Sequence, residues 1–159
     1  MSFKFTEENI IRINELITHY PEKRPAVMGV LYIAQEQNGW ISYEVMKEVA
    51  EILDMLEEEV LGITTFYTMY HNKPVGKFHI QVCTNVSCML KGGYKIYDHV
   101  KEKLGIENGG LTNDNMFSLE EVECMGSCGT APMIAVNEDY FENLDLNQID
   151  QILESLKNK

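Results

Sequence analysis

No stretch of this sequence approaches the roughly eighteen uninterrupted apolar residues that a membrane-spanning helix requires. The opening residues, Met1-Ser2-Phe3-Lys4-Phe5-Thr6-Glu7, lead into no long apolar run, so no signal peptide is expected. Basic residues are scarce. The 13 lysines and arginines face 25 acidic residues, and a net charge of −12 disfavours free nucleic acid and anionic lipid as partners. There is no G-x-G-x-x-G, and the lone Gly76-Lys77 lacks the rest of a phosphate loop, so no nucleotide site of those kinds is expected. The absence of C-x-x-C disfavours a thioredoxin-type dithiol. Cysteine itself is sparse, with four in the chain. Without a secretion signal they are expected in a reducing compartment, where metal binding or catalysis is favoured over a disulfide framework.

What remains is enough for a packed protein. Apolar residues make up 45% of the 159, which argues against disorder and suits one domain with a substantial extension. The first half reads as helices. Thr6 is an N-cap, stapled by Phe5 and Ile10, and Ile10, Ile13, Ile17 and Tyr20 share a face up to Pro21. A second helix starts near Pro25, carries Val27, Val30, Leu31 and Ala34, and ends at Asn38-Gly39. Ser42 caps a third, with Val45, Val49, Ile52 and Leu53 as its apolar face. Glu57-Glu58-Glu59 opens a fourth, continued by Val60, Ile63 and Tyr67. These predict a small helical bundle over residues 1–72, with Phe66 and Tyr67 packed inside it.

His71-Asn72-Lys73-Pro74-Val75-Gly76 marks a boundary, and residues 73–159 read differently. Phe78 to Val82 alternates as a strand and runs straight into Cys83. Gly92-Gly93 opens a helix that Gly105 closes, and Glu107 to Asn115 reads as a polar loop. Phe117 to Val122 is a strand whose broken parity suggests a bulge or a short strand. Met133–Val136 and Tyr140-Phe141 form a hairpin turning at residues 137–139. Asp145 with Gln148 boxes the start of the last helix. The order β-α-β-β-β-α is that of a thioredoxin-like core, expected here with one helix on each side of the sheet. The fold class is therefore α+β.

The four cysteines fall into two tight pairs. Cys83 and Cys88 have four residues between them, Cys124 and Cys128 have three, and 35 residues separate the pairs. Both pairs follow a strand, so the strand ends could bring them together at one edge of the sheet. Gly126 and Gly129 bracket Ser127-Cys128 and let the backbone approach closely. Four soft thiolates suit a [2Fe–2S] cluster. Spacing alone leaves the occupant open, because structural zinc also takes Cys₄ sites and disulfides have three possible connectivities. Thr84 and Ser87 are candidates to bond sulfur or to cap the loop. His79 reads as a packed strand histidine.

The run Val75 to Leu90, followed by Gly92-Gly93, resembles the first cluster motif of a known family. This is the small [2Fe–2S] subunit of the NADH-dehydrogenase module of respiratory complex I, the NADH–quinone oxidoreductase. Cys124-Met125-Gly126-Ser127-Cys128-Gly129-Thr130-Ala131-Pro132 resembles its second motif. Thr65-Phe66-Tyr67, Lys73-Pro74-Val75-Gly76 and Gln35-Glu36-Gln37-Asn38-Gly39-Trp40 match its N-terminal half. The resemblance favours iron–sulfur over zinc and implies one [2Fe–2S] cluster on Cys83, Cys88, Cys124 and Cys128. It implies an N-terminal four-helix bundle followed by a thioredoxin-like [2Fe–2S] ferredoxin domain, and no catalytic residue in this chain.

It also implies a flavoprotein partner holding FMN, NADH and a [4Fe–4S] cluster, with this chain exchanging single electrons with that flavin. The location implied is cytoplasmic, peripheral on the inner membrane through the complex. The same module occurs in NAD-linked formate dehydrogenases and multisubunit hydrogenases. A zinc-stabilised interaction module is the alternative of a different class.

Overall fold

The computed structural model describes residues 2–158, and the chain divides between Pro74 and Val75 into two compact units. The first contains α1 (Glu7–Thr18), α2 (Val27–Asn38), α3 (Tyr43–Leu53) and α4 (Glu57–Phe66). Their starts follow local chemistry. The Thr6 side chain accepts from the Asn9 N–H and Ser42 from the Val45 N–H. At α4 the Glu59 carboxylate reaches back to the Leu56 N–H at 3.0 Å. Gly39 ends α2 with φ at +81°, a left-handed turn that a side chain would strain.

One apolar face from each helix joins a common core that includes Ile13, Val30, Leu31, Val45, Val49 and Val60, all fully buried. Each such side chain contributes about 1.5–3 kcal/mol by leaving water. Two expectations differ here. A 3₁₀ turn over Arg24–Ala26 takes up Pro25 before α2 begins. Phe66, the last residue of α4, is 76% exposed and stacks edge-on with Tyr67, not in the core, while Thr64 and Ile63 of the same turn face inward.

The second unit contains β1 (Phe78–Cys83), α5 (Val86–Leu90), α6 (Gly93–Leu104), β2 (Gly110–Leu111), β3 (Phe117–Val122), β4 (Ile134–Val136), β5 (Asp139–Phe141) and α7 (Leu146–Lys157). The sheet order is β2-β3-β1-β4-β5. β1 and β3 run parallel with Phe78 opposite Phe117 and Cys83 opposite Val122, and the other pairs are antiparallel. The β1–β3 register is continuous through all six residues, so the expected bulge in β3 is absent. Phe117 and Leu119 face one side and Val122 the other, which is what broke the parity. The peptide bond between Ala131 and Pro132 is cis.

The helices do not flank the sheet. Phe78, Ile80, Val82, Phe117, Leu119, Ile134 and Val136 lie on one face by strand alternation and register, and they share a single core with Ile96, Val100, Ile149 and Leu153. Both α6 and α7 therefore cover the same face, joined by His99 Nε2 at 2.8 Å from Asp150 and by Lys103. The expectation of one helix per side is corrected by the polarity of the other face. His79, Gln81, Ser118 and Glu120 stand there as a hydrogen-bonded group. The His79 ring lies 2.8 Å from the Ser118 hydroxyl and 3.1 Å from the Glu120 carboxylate. Among the described residues no helix is long and apolar enough to cross a membrane.

Candidate metal centre

Parallel pairing of β1 and β3 brings the two cysteine loops together. Two neighbouring strands running the same way end at the same edge, and here Cys83 and Val122 are partners in the ladder. The first loop leaves from Cys83 and the second from Val122, side by side. Past Cys83, Asn85 accepts from the Val86 N–H at 2.7 Å and starts the short helix α5, which carries Cys88. Gly93 lets α6 begin against this loop; a Cβ there would stand 2.7 Å from the Cys83 carbonyl oxygen. Cys83 and Cys88 are each 3% exposed and pack with Met133, and Met125 and Ala131 border them.

The second loop is more open. Cys124 and Cys128 are exposed, with their sulfurs 3.3 Å apart. Gly126, at φ +87°, turns its N–H onto the Cys124 sulfur at 3.4 Å. Cys128 opens a 3₁₀ turn, Cys128–Thr130. That turn is held by the Thr130 hydroxyl, which donates to Glu142 at 2.6 Å, and by the Asn143 N–H, which donates to the Thr130 carbonyl. The Tyr140 hydroxyl donates to the Met125 carbonyl at 3.3 Å.

The thiols feel one another across the loops. Burial pushes Cys88 up to about 11, and neighbouring Cys83 and Cys128 add to the rise. The Gly126 N–H holds Cys124 below the ordinary thiol value. Cys128 is raised, first by its hydrogen bond with Cys124, while the nearby Ser87 hydroxyl works the other way. The Thr84 hydroxyl does not bond sulfur; it goes to Glu121 at 2.7 Å. Glu121 and Glu123 escape a motif reading altogether. The available signal was the acidic run leading into Cys124, like charge placed where thiolates are expected.

Among the described residues, no group of three or more His, Cys, Asp or Glu side chains is arranged to hold one metal ion. Four thiols gathered at one edge of the sheet suit a [2Fe–2S] centre by their donor chemistry.

Residues 13–157 match the family described as thioredoxin-like [2Fe-2S] ferredoxin. The chain belongs to this family. This thioredoxin-like ferredoxin is 41% identical over 160 residues to the NADH-quinone oxidoreductase E subunit of Rickettsia bellii (strain RML369-C), covering 99% of this chain and 96% of that one. It is 43% identical over 145 residues to the second NADH-quinone oxidoreductase E subunit of Rhizobium meliloti (strain 1021), covering 91% of this chain and 86% of the relative. The ferredoxin fold is also found in an NAD+-reducing [NiFe]-hydrogenase. The TM-score is 0.71 at 19% identity, over 82% of this chain and 22% of that one.

Proposed function

We infer that this chain is the [2Fe–2S] electron-transfer subunit of an NADH–quinone oxidoreductase. The observation that carries the reading is the meeting of two cysteine pairs at the adjoining ends of parallel strands, in a chain of this family. Cys83, Cys88, Cys124 and Cys128 are its proposed ligands. When bound, the cluster supplies one-electron chemistry with no bond to make or break in a substrate.

The residues of the chain do the rest. Cys83 and Cys88 offer their sulfurs from a buried, Met-lined wall, while Cys124 and Cys128 offer theirs from the exposed side. The Gly126 N–H directs positive dipole at the exposed Cys124 sulfur. Against them stand Glu121, Glu123 and a net charge of −12. Added negative charge is disfavoured in such surroundings, which sets the expected reduction potential low.

The catalytic work on NADH belongs to a partner in this reading. That partner is a flavoprotein subunit holding FMN, NADH and a [4Fe–4S] cluster, and single electrons pass between its flavin and this chain. The N-terminal helices, read as a four-helix bundle, are part of the same polypeptide. The assembly places the chain on the cytoplasmic side of the inner membrane, held there by other subunits.

Metal and sulfide analysis of protein purified anaerobically from iron-replete cells tests the assignment. Two irons and two sulfides per chain, with visible absorbance that bleaches on dithionite, are expected. A colourless protein with one zinc would overturn it.

A further inference from the structure

The two cysteine loops are joined by more than the sheet. The β1–β3 ladder runs one step past Cys83, where the Thr84 N–H donates to the Val122 carbonyl at 3.2 Å. Beyond that point side chains take over. The Thr84 hydroxyl, on a residue 9% exposed, donates to the Glu121 carboxylate at 2.7 Å. The Asn85 side-chain amide splits its two ends. Its oxygen accepts from the Val86 N–H and starts α5, and its NH₂ donates to the Glu123 carboxylate. Cys88 rides on α5, and Glu123 is bonded directly to Cys124. A short chain of contacts therefore runs from Cys88 through Asn85 and Glu123 to Cys124. A second, through Thr84 and Glu121, lies one step closer to the sheet.

We propose that Glu121 and Glu123 are positioning residues, a paired carboxylate clasp that fixes the separation of the two cysteine pairs before any metal binds. The proposal rests on the [2Fe–2S] reading only for what the clasp holds. The contacts themselves belong to the protein. Carboxylates are a costly choice beside four thiolates, since like charges repel. Neutral amides would make similar hydrogen bonds. The choice is explained if the clasp has a second effect, to hold negative charge against the centre and bias it toward the oxidised state.

Four variants of the full chain separate these effects. In Thr84→Val the donor is lost at constant shape, and in Thr84→Ser it is kept. Glu121→Gln and Glu123→Gln keep an acceptor and remove charge. With the anaerobic holoprotein, loss of visible absorbance under an iron chelator is expected about tenfold faster in Thr84→Val, the scale of one net hydrogen bond. Thr84→Ser is expected to restore the wild-type rate. Both glutamine variants are expected to retain the cluster within about twofold, while their reduction potentials shift upward.

In the metal-free chain, Thr84→Val is expected to speed amide hydrogen exchange through residues 84–88 and 123–128. Equal chelator rates for wild type, Thr84→Val and Thr84→Ser, or unchanged exchange in the metal-free chain, would overturn the clasp. Potentials unmoved in both glutamine variants would overturn its charge effect. A wild-type protein without iron and sulfide would bring down the [2Fe–2S] reading instead, and the exchange measurement would still decide the clasp.

Discussion

Replacing Gly93 by alanine puts a methyl group where the second unit has no room. The added carbon would stand 2.7 Å from the Cys83 carbonyl oxygen and 3.0 Å from the carbonyl carbon and oxygen of Cys88. All three neighbours are backbone, so no side chain can swing aside. Either α6 shifts away from the Cys83–Cys88 loop or the loop itself deforms. Overpacking of this kind costs about 1–3 kcal/mol, and three backbone contacts place Gly93→Ala at the upper end. Alanine's helix propensity returns about 1 kcal/mol at most, which leaves a net loss of about 2 kcal/mol.

For a unit of this size, each kcal/mol moves the melting temperature by about 4–8 °C, so the transition of the second unit is expected to fall by about 8–16 °C. Calorimetry of the metal-free protein reads this directly, with transitions fitted separately because two units need not unfold as one. Gly62→Ala is the matched control. It lies in α4 with open space around it, and a gain of up to about 1 kcal/mol is expected from propensity alone. If Gly93→Ala melted at or above the wild-type temperature, the close packing of α6 against the cysteine loop would be refuted.

Two further outcomes follow from the thiols and from the α6–α7 contact. In the metal-free chain, alkylation followed by mass spectrometry at mildly alkaline pH is expected to label Cys124 first and Cys88 last. Cys124 is exposed and its thiol is held below the ordinary value by the Gly126 N–H, whereas burial pushes Cys88 up to about 11. The His99 hydrogen bond, with Lys103 beside it, holds the Asp150 carboxyl below its ordinary 3.8. Its stabilising contribution is present above that value and is lost as pH falls through the lower value of the folded state. The stability gap between wild type and Asp150→Asn is therefore expected to narrow as pH falls below 3.8 in denaturant titrations. A gap that widened over that range would contradict the pairing.

Much of this was legible in the sequence because it is local. Thr6, Ser42, Asn38-Gly39 and the Asp145/Gln148 box all act at the termini expected of them. Phe5, Ile41 and Leu144, which precede the caps, are buried as staples require. The elements that went unread lack such signals. α5 is five residues long, and Val86, Met89 and Leu90 point outward around buried Cys88, so no periodicity betrays it. β2 is two residues of a polar loop that pairs with β3 only once the chain is folded.

The side of the sheet taken by each helix is a tertiary property, decided by which face carries the polar His79–Ser118–Glu120 group. Phe66 reads as core by type and is 76% exposed. The cysteine pairs were legible from spacing. Their meeting depended on β1 and β3 being parallel neighbours, and their ties to Glu121 and Glu123 span 37 and 38 positions, beyond the reach of any local pattern.

The central claim is that four cysteines hold a centre that takes one electron. Reductive titration of the anaerobic holoprotein, followed by electron paramagnetic resonance, tests it most directly. Uptake of one electron per chain, with one unpaired spin for every two irons, is the expected result. Uptake of two electrons without a spin signal would mean that the cysteines cycle as a disulfide, and no uptake at all would mean a redox-silent metal; either contradicts the account.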